Sequence, residues 1–553
     1  MGRLFTVLVA ALAATGSFLH GYDSGVMTDV IDSPNFLNFF NTTQTSAIVG
    51  AINSTFSGGA VLGSLQGGLT MDRFGRKATI QLGAFLCLIG AILQAAAQNL
   101  AMILVGRVLA GWAIGLMSMS VPVYQAECAH PRSRGMIVGL AQQMIGMGFI
   151  VSTYGPSPVP KVIPELINPR WVGYGSLHAP PTSQFQWRFP LAFQVVPALI
   201  LGVGMLFLPE SPRFLIEKER YTEARTILHK LHFDGTNGDW IETEYTGIRT
   251  AIEAEKGTTA PGWIAMFIVP QWRTRLLYVP VLSPHVHGSN ALRRHGVAVQ
   301  VFTQMTGINV IGYYQTIMYK SLGITGSRNT LVAGIYNCIG PFANLIFVVF
   351  ILDRVGRRRP MLFATIAISL ALICEAALNS QSPGTRGYSV GGVFFIFLVS
   401  VIFSMSFGPC SWVYMAEVMP MQIRGKGTAF AVGIGNWAVG TLWNQLSPVA
   451  LGQIQWKFYF VFVAWNICIS FPVIFFLFQE TKQKSLEEID LLFGPAVGTG
   501  VIMEEFEIGR PQQTHDKEHI DVSARNVEDV RIDCQHKFNH LILWDKSWNG
   551  RLS

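Results

Sequence analysis

Two charged side chains lie where the sequence is otherwise almost wholly apolar. Asp23 interrupts the run 4–29 and Arg107 the run 101–124. On insertion scales a charge at the centre of a membrane helix costs about 2.5–3.5 kcal/mol, so such residues are normally paired and functional, marking routes for ions or protons. His20 sits three residues before Asp23, on the same helical face. An imidazole titrates near neutral pH and could tune a neighbouring acid, or it could serve as a polar ring against a solute.

A second group pairs acids with arginines at the ends of apolar runs: Asp72 with Arg76, Glu127 with Arg134, Asp353 with Arg357, and Glu417 with Arg424. Carboxylate–guanidinium pairs make strong, directional hydrogen bonds. Topology-setting charge would account for the arginines but not for the acids. Gly68, just before the first of these sets, has no side chain and lets a neighbouring helix approach closely. A third group is neutral. Gln300 and Gln304 fall on one helical face, four residues apart, with Asn309 further along, and amides there are hard to explain as lipid-facing. No nucleophile triad, glycine-rich phosphate loop or metal constellation is recognisable, and His285, His287 and His295 lack companion acids or cysteines. Neither an enzyme nor a resident cofactor or metal is expected.

The elements that must position these residues follow from composition. Of 553 residues, 50% are hydrophobic and 13% charged, with mean hydropathy +0.37. Such a chain needs lipid as a solvent. Its net charge of +7 is spread through short loops rather than along one stripe, which argues against a nucleic-acid partner. Twelve stretches reach the roughly 20 residues a spanning helix needs: 4–29, 46–69, 78–97, 101–124, 135–154 and 189–208, then 296–319, 329–352, 360–379, 391–415, 426–448 and 456–478. The first could be misread as a signal peptide, but it continues through His20, Tyr22 and Asp23 with no small-residue cleavage site, so it is expected to be retained. Basic residues cluster after spans two, four, eight and ten, which places those loops and both termini in the cytosol. Asn41-Thr42-Thr43 then lies outside as a glycosylation sequon. Five of the cysteines (Cys87, Cys338, Cys374, Cys410 and Cys468) lie in apolar runs, so no disulfide is expected.

Three short matches recur in the same order. Asp72 to Lys77 returns as Asp353 to Arg358, offset 353 − 72 = 281 residues. Glu127 with Arg134-Gly135 returns as Glu417 with Arg424-Gly425, and Pro209-Glu210-Ser211 as Gln479-Glu480-Thr481. Two homologous six-span halves, related as parallel repeats, are implied. The expected domains are a first half, 1–208; a cytosolic linker, 209–295, with a helix-like run at 221–231; a second half, 296–481; and a cytosolic, disordered tail, 482–553.

With these motifs in view the chain resembles a sugar porter of the major facilitator superfamily, in its fungal type. The resemblance runs from about residue 21 to residue 490. It rests on Gly21-Tyr22-Asp23, Gly68 with Asp72 to Lys77, Pro122-Val123-Tyr124 with Glu127 and Arg134, Pro209 to Arg213, Gln304 with Gly307-Ile308-Asn309, Gly408-Pro409 with Trp412 and Glu417, and Glu480-Thr481-Lys482. It implies an all-α membrane fold of twelve helices in two pseudo-symmetric halves, working by alternating access. Asp23 would be the proton-binding acid and Arg107 its partner, the proton being the coupling ion. Gln142, Gln300, Gln304, Asn309, Trp412, Asn436 and Trp437 would contact the sugar, with His20 where relatives carry an aromatic. Tyr313 and Tyr314 would close over the site from outside. Asp72, Arg76, Glu127, Arg134, Asp353, Arg357, Glu417 and Arg424 would form a cytosolic gate. Thr303 and Pro341 depart from the amides common at those positions.

The expectation is a monomeric plasma-membrane carrier of a hexose or pentose, driven by protons. Alternatives are a sugar uniporter, a carrier of a polyol, disaccharide or quinate, and a non-transporting sugar sensor. The stretches 155–170 and 279–295 fit no helical period and interrupt motifs cleanly, as loops would, or as unspliced intron would.

Overall fold

The computed structural model describes residues 2–32, 34–42, 47–153, 183–233, 235–255, 263–268, 296–323, 327–381, 386–419, 423–482, 484 and 489, all within one compact unit, 1–499. The stretches 155–170 and 279–295, and nearly all of the tail, lie outside the described residues.

The described helices make twelve spanning segments. In the first half these are span 1 (Gly2–Ala13 and Thr15–Asp32), span 2 (Ala47–Phe74), span 3 (Arg76–Ala95), span 4 (Leu100–Cys128), span 5 (Arg134–Thr153) and span 6 (Phe185–Phe193 and Val195–Phe207). In the second they are span 7 (Gly296–Met305 and Ile308–Ser321), span 8 (Ser327–Ile346, continuing to Val355), span 9 (Arg358–Ser380), span 10 (Arg386–Ser404 and Phe407–Val418), span 11 (Arg424–Phe430, continuing to Gln453) and span 12 (Gln455–Phe458, continuing to Leu477). Spans 2, 4 and 10 run past their expected ends at 69, 124 and 415, and so carry Asp72, Glu127 and Glu417 within helix.

Nine of the described helices are long and apolar enough to cross a membrane by themselves. Spans 2, 7 and 11 are more polar, and their polar side chains meet: Ser54 and Ser57 of span 2 bond Gln445 and Asn444 of span 11, and Gln304 of span 7 bonds Asn436 of span 11. Large apolar side chains such as Phe207, Phe363 and Phe476 are exposed on the outside, a surface suited to lipid.

Proline explains two breaks. Pro197 cannot donate to the carbonyl of Phe193, and span 6 opens at Gln194. Pro409 stands in the same relation to Met405, where span 10 opens. Span 7 breaks at Thr306-Gly307, where Gly307 adopts φ +83°. Span 11 winds into a π-helical stretch, Ala431–Ala438, and such bulges recur at functional sites.

Between the halves lie four described linker helices, Pro212–Glu217, Tyr221–His232, Gly238–Glu255 and Trp263–Ile268. Leu215, Ile216, Ala224, Ile248 and Ile252 give the first three a small core of their own. Only the second had a legible period in the sequence.

Candidate functional site

Close helix packing brings the two intramembrane charges together. A methyl group at Gly111 of span 4 would stand 3.1 Å from Cα of Phe56 in span 2, and one at Gly21 of span 1 would stand 3.0 Å from Cα of Ile145 in span 5. Bare glycine surfaces therefore draw these helices into contact. Asp23 Oδ1 then lies 2.5 Å from Arg107 Nη1, with both side chains almost fully buried. Gln194, at the break in span 6, donates its Nε2 to the same oxygen at 2.9 Å. The Arg107 guanidinium rests on the Phe56 ring, 4.4 Å from its centroid. Among the described residues, Asp23 Oδ2 finds no hydrogen-bond partner.

One turn away, His20 faces the central cavity, its ring 4.9 Å from that of Trp437. The cavity holds about 170 Å³, on the order of ten times the space one water needs. Among the expected contact residues, His20, Gln142, Gln304, Asn309, Trp412, Asn436 and Trp437 line it. The amides form a chain: Asn309 Nδ2 donates to Gln304 Oε1 at 2.5 Å, and Gln304 Nε2 donates to Asn436 Oδ1. Trp412 Nε1 donates across the halves to Gln142 Oε1 at 3.1 Å, and Trp437 Nε1 to Ser118 Oγ at 3.1 Å. Neutral donors and acceptors around two indole faces suit a small polyhydroxylated solute.

Gln300 does not reach this cavity. Span 11 packs its bare Gly435 against it, and the amide of Gln300 donates to the sulfur of Met415 at 3.3 Å. Tyr313 lines the cavity beside Ser24, within electrostatic reach of Asp23 and Arg107. Tyr314 instead turns to span 11 and donates to the carbonyl of Asn444 at 2.6 Å. Thr303 and Pro341 do line the cavity, and Asn337 and Asn344, one turn to either side of Pro341, line it too. The amides of Asn344 and Gln143 meet at 2.8 Å across the halves. Gln194, Asn337 and Asn344 went unrecognised in the sequence, although each is an amide inside a spanning run, the same signal that marked Gln304.

At the end of the molecule that carries the basic loops, the paired acids and arginines form two matching sets. In the first half, Arg76 grips Glu127 at 2.8 Å, Ser211 donates to Glu127 Oε2 at 2.6 Å, and Glu210 accepts the backbone N–H groups of Arg76 and Lys77 at 3.2 Å. In the second, Arg357 meets Glu417 at 3.0 Å, Thr481 donates to Glu417 Oε2 at 2.6 Å, and Glu480 accepts the N–H groups of Arg357 and Arg358 at 2.9 and 3.1 Å. The third sequence match is thereby explained: Glu210-Ser211 and Glu480-Thr481 complete the same arrangement. Burial holds the Glu210 carboxyl above the usual carboxylate range, against the lowering effect of the N–H groups of Ser211 and Lys77.

Contacts between the halves close this end. Arg424 Nη1 lies 3.6 Å from Glu127 Oε1, and Lys426 Nζ lies 3.5 Å from Asp72 Oδ2. Asp353 Oδ2 accepts the N–H of Met136 at the start of span 5 at 3.2 Å. Arg134 donates to the carbonyls of Ala126 and Lys484, at 3.2 and 3.3 Å. Gly68 packs against Ala429 of span 11. Asn41 stands exposed on a turn after the helix Pro34–Phe39, with φ +47°.

Residues 9–493 match the family model described as "Sugar (and other) transporter". The chain is 36% identical over 494 residues to the MFS-type transporter criB of Aspergillus cristatus, covering 89% of this chain and 94% of that one. It is 29% identical to the MFS glucose transporter mfs1 of Aspergillus flavus, covering 89% and 90%. Among solved structures, that of the MFS proton:xylose symporter XylE from E. coli, bound to 6-bromo-6-deoxy-D-glucose, superposes with a TM-score of 0.73 at 23% identity, covering 89% of this chain and 100% of that one.

Proposed function

The chain belongs to the sugar transporter family of the major facilitator superfamily, a family of multi-pass membrane carriers, and from that premise we propose that it moves a monosaccharide together with a proton. The observation that carries the reading is the buried Asp23–Arg107–Gln194 cluster one helical turn from a cavity lined by amides and indoles. An acid held by a guanidinium can release it on protonation, and with that ion pair broken the helices are free to rearrange with solute bound. Deprotonation toward the less acidic side restores the pair. The basic loops put the closed end in the cytosol, so the described state has its cytosolic gate shut. Plasma-membrane residence, cytosolic termini and action as a monomer complete the reading. The cavity's neutral lining suits a hexose or pentose, and a relative named as a glucose transporter supports that class.

The test is uptake of a labelled sugar panel in cells lacking their own sugar carriers, at two external pH values, with cytosolic pH recorded. Uptake should rise at the lower pH and acidify the cytosol. Asp23→Asn should abolish uphill accumulation while leaving exchange, and unchanged accumulation would refute coupling through Asp23. The same panel separates the alternatives: a uniporter leaves cytosolic pH unmoved, a polyol, disaccharide or quinate carrier takes up a different solute, and a sensor takes up none.

A further inference from the structure

Span 9 carries an acid that the cluster at Asp23 does not use. Glu375 lies 380 − 375 = 5 residues before the outer end of its helix, about 8 Å at 1.5 Å per residue. It is 1% exposed, and neither carboxylate oxygen finds a hydrogen-bond partner among the described residues. Span 10 is notched to admit it: a methyl at Gly392 would stand 3.0 Å from Glu375 Oε2. The titratable groups facing it are hydroxyls, Tyr319 of span 7 and Tyr459 of span 12. Among the described residues no lysine, arginine or histidine lies against it. Asn379, one turn further along span 9, approaches the Tyr459 hydroxyl and donates toward Ser321 Oγ at 3.4 Å; it is half-buried, and the next residue, Ser380, is exposed. On the other side Tyr319 stands near Tyr336, which lines the central cavity. Polar side chains therefore run from the outer rim through Glu375 to the cavity.

We propose that Glu375 is a second proton-binding site, which holds a proton while the cytosolic gate is shut and exchanges it during the transport cycle. An ionised carboxylate sealed in an apolar wall without a counter-charge is far costlier than the neutral acid, so the group binds a proton instead. The proton would enter from the outer surface along Asn379 and Tyr459 and leave past Tyr319 and Tyr336 into the central cavity once that cavity opens to the cytosol. The proposal rests on the proton-coupled reading above.

Glu375→Gln keeps the shape and neutrality of the protonated acid, so the variant folds. In purified protein reconstituted in liposomes, the infrared carbonyl band of a protonated carboxylic acid should be lost in Glu375→Gln and kept in Asp23→Asn. Measured at zero net flux, the number of protons moved per sugar should fall by about one in Glu375→Gln. An unchanged band, or a proton-to-sugar ratio equal to that of the wild type, overturns the proposal. A wild type that moves no proton with sugar overturns instead the coupled reading on which it rests.

Discussion

Gly425 is where one methyl group tests how the proposed cytosolic gate is held. A side chain there would place Cβ 3.0 Å from Asp72 Cγ and closer still to Oδ1, inside the 3.4 Å at which ordinary contact begins. Asp72 belongs to span 2 and Gly425 to the first turn of span 11, so the clash exists only while the two halves touch at this end. Asp72 would have to swing away, giving up its place at the span 11 N-terminus and its 3.5 Å approach to Lys426. A carboxylate at a helix N-terminus contributes about 0.3–1 kcal/mol, and up to about 2 when partly buried. Alanine's helical advantage of about 1 kcal/mol over glycine applies to both states of the gate and cancels. A differential of about 1–2 kcal/mol changes a two-state ratio about 5- to 30-fold, so Gly425→Ala should populate the cytosol-open state correspondingly more. Spin labels at the exposed positions Phe74 and Val355, at the basic-loop ends of spans 2 and 8, would read this as a longer distance population. Gly135→Ala should act in the same direction, because its methyl would meet Asp353 and Arg357 in the repeated arrangement. Gly334, with open space around its Cβ position, is the control. An unshifted distribution in Gly425→Ala, or an equal shift in Gly334→Ala, refutes the argument.

Three further outcomes follow from the site. Gln194→Leu removes a donor to the ionised form of Asp23, a bond to a charged group worth about 1.5–3 kcal/mol, so the pH of half-maximal uptake should rise by about one unit or more, as a proton-gradient uptake series would record. His20→Phe keeps a ring against Trp437 and should leave KM within about threefold, whereas His20→Ala forfeits an aromatic contact of about 0.5–1.5 kcal/mol and should raise KM about 2- to 10-fold. For Glu210 the folded protein binds the proton more tightly than the unfolded chain does, so the stability it confers is greatest at low pH and declines as pH rises through the folded-state value. Relative to Glu210→Gln, the wild type's advantage in melting temperature should therefore shrink as pH rises above the ordinary carboxylate range.

The membrane class, the twelve helices and the paired motifs were legible because each rests on local pattern: apolar length, a basic loop, or an acid where none is expected. What sequence left open depended on which face meets which. The four-residue spacing put Gln300 on the face of Gln304, but the bare surface of Gly435 lets span 11 seal it off. Pro341 looked like a lost sugar contact when positions were matched singly. Helical geometry restores two amides to that face, since Asn337 and Asn344 lie four residues before it and three after. Gln194 became visible only with the break that Pro197 imposes on span 6. Glu375 carried the same mark as Asp23, an acid inside a spanning run, but no family motif drew attention to it.

Span 4 carries both Arg107 and Glu127, and this bears on how a proton at one end could move a gate at the other. The two are 127 − 107 = 20 residues apart on one helix, about 30 Å. Arg107 binds Asp23 of span 1, while Glu127 binds Arg76 of span 3 and reaches Arg424 of the opposite half. Among the described residues, the contact to Arg424 is the one contact of Glu127 that crosses between halves, and it is the one that must break as the gate opens. Release of Arg107 would loosen the hold of span 1 on span 4 without disturbing the Arg76–Glu127 pair, and the first half could then tilt as one body. Coupling of this kind needs a stiff helix with a bond at each end rather than a relay of side chains between them. It follows that Arg424→Gln should favour the open gate in the spin-label experiment whether or not Asp23 is replaced, whereas Asp23→Asn should do so only while Arg424 is present. Equal effects of Asp23→Asn in the presence and absence of Arg424 would place the coupling outside span 4.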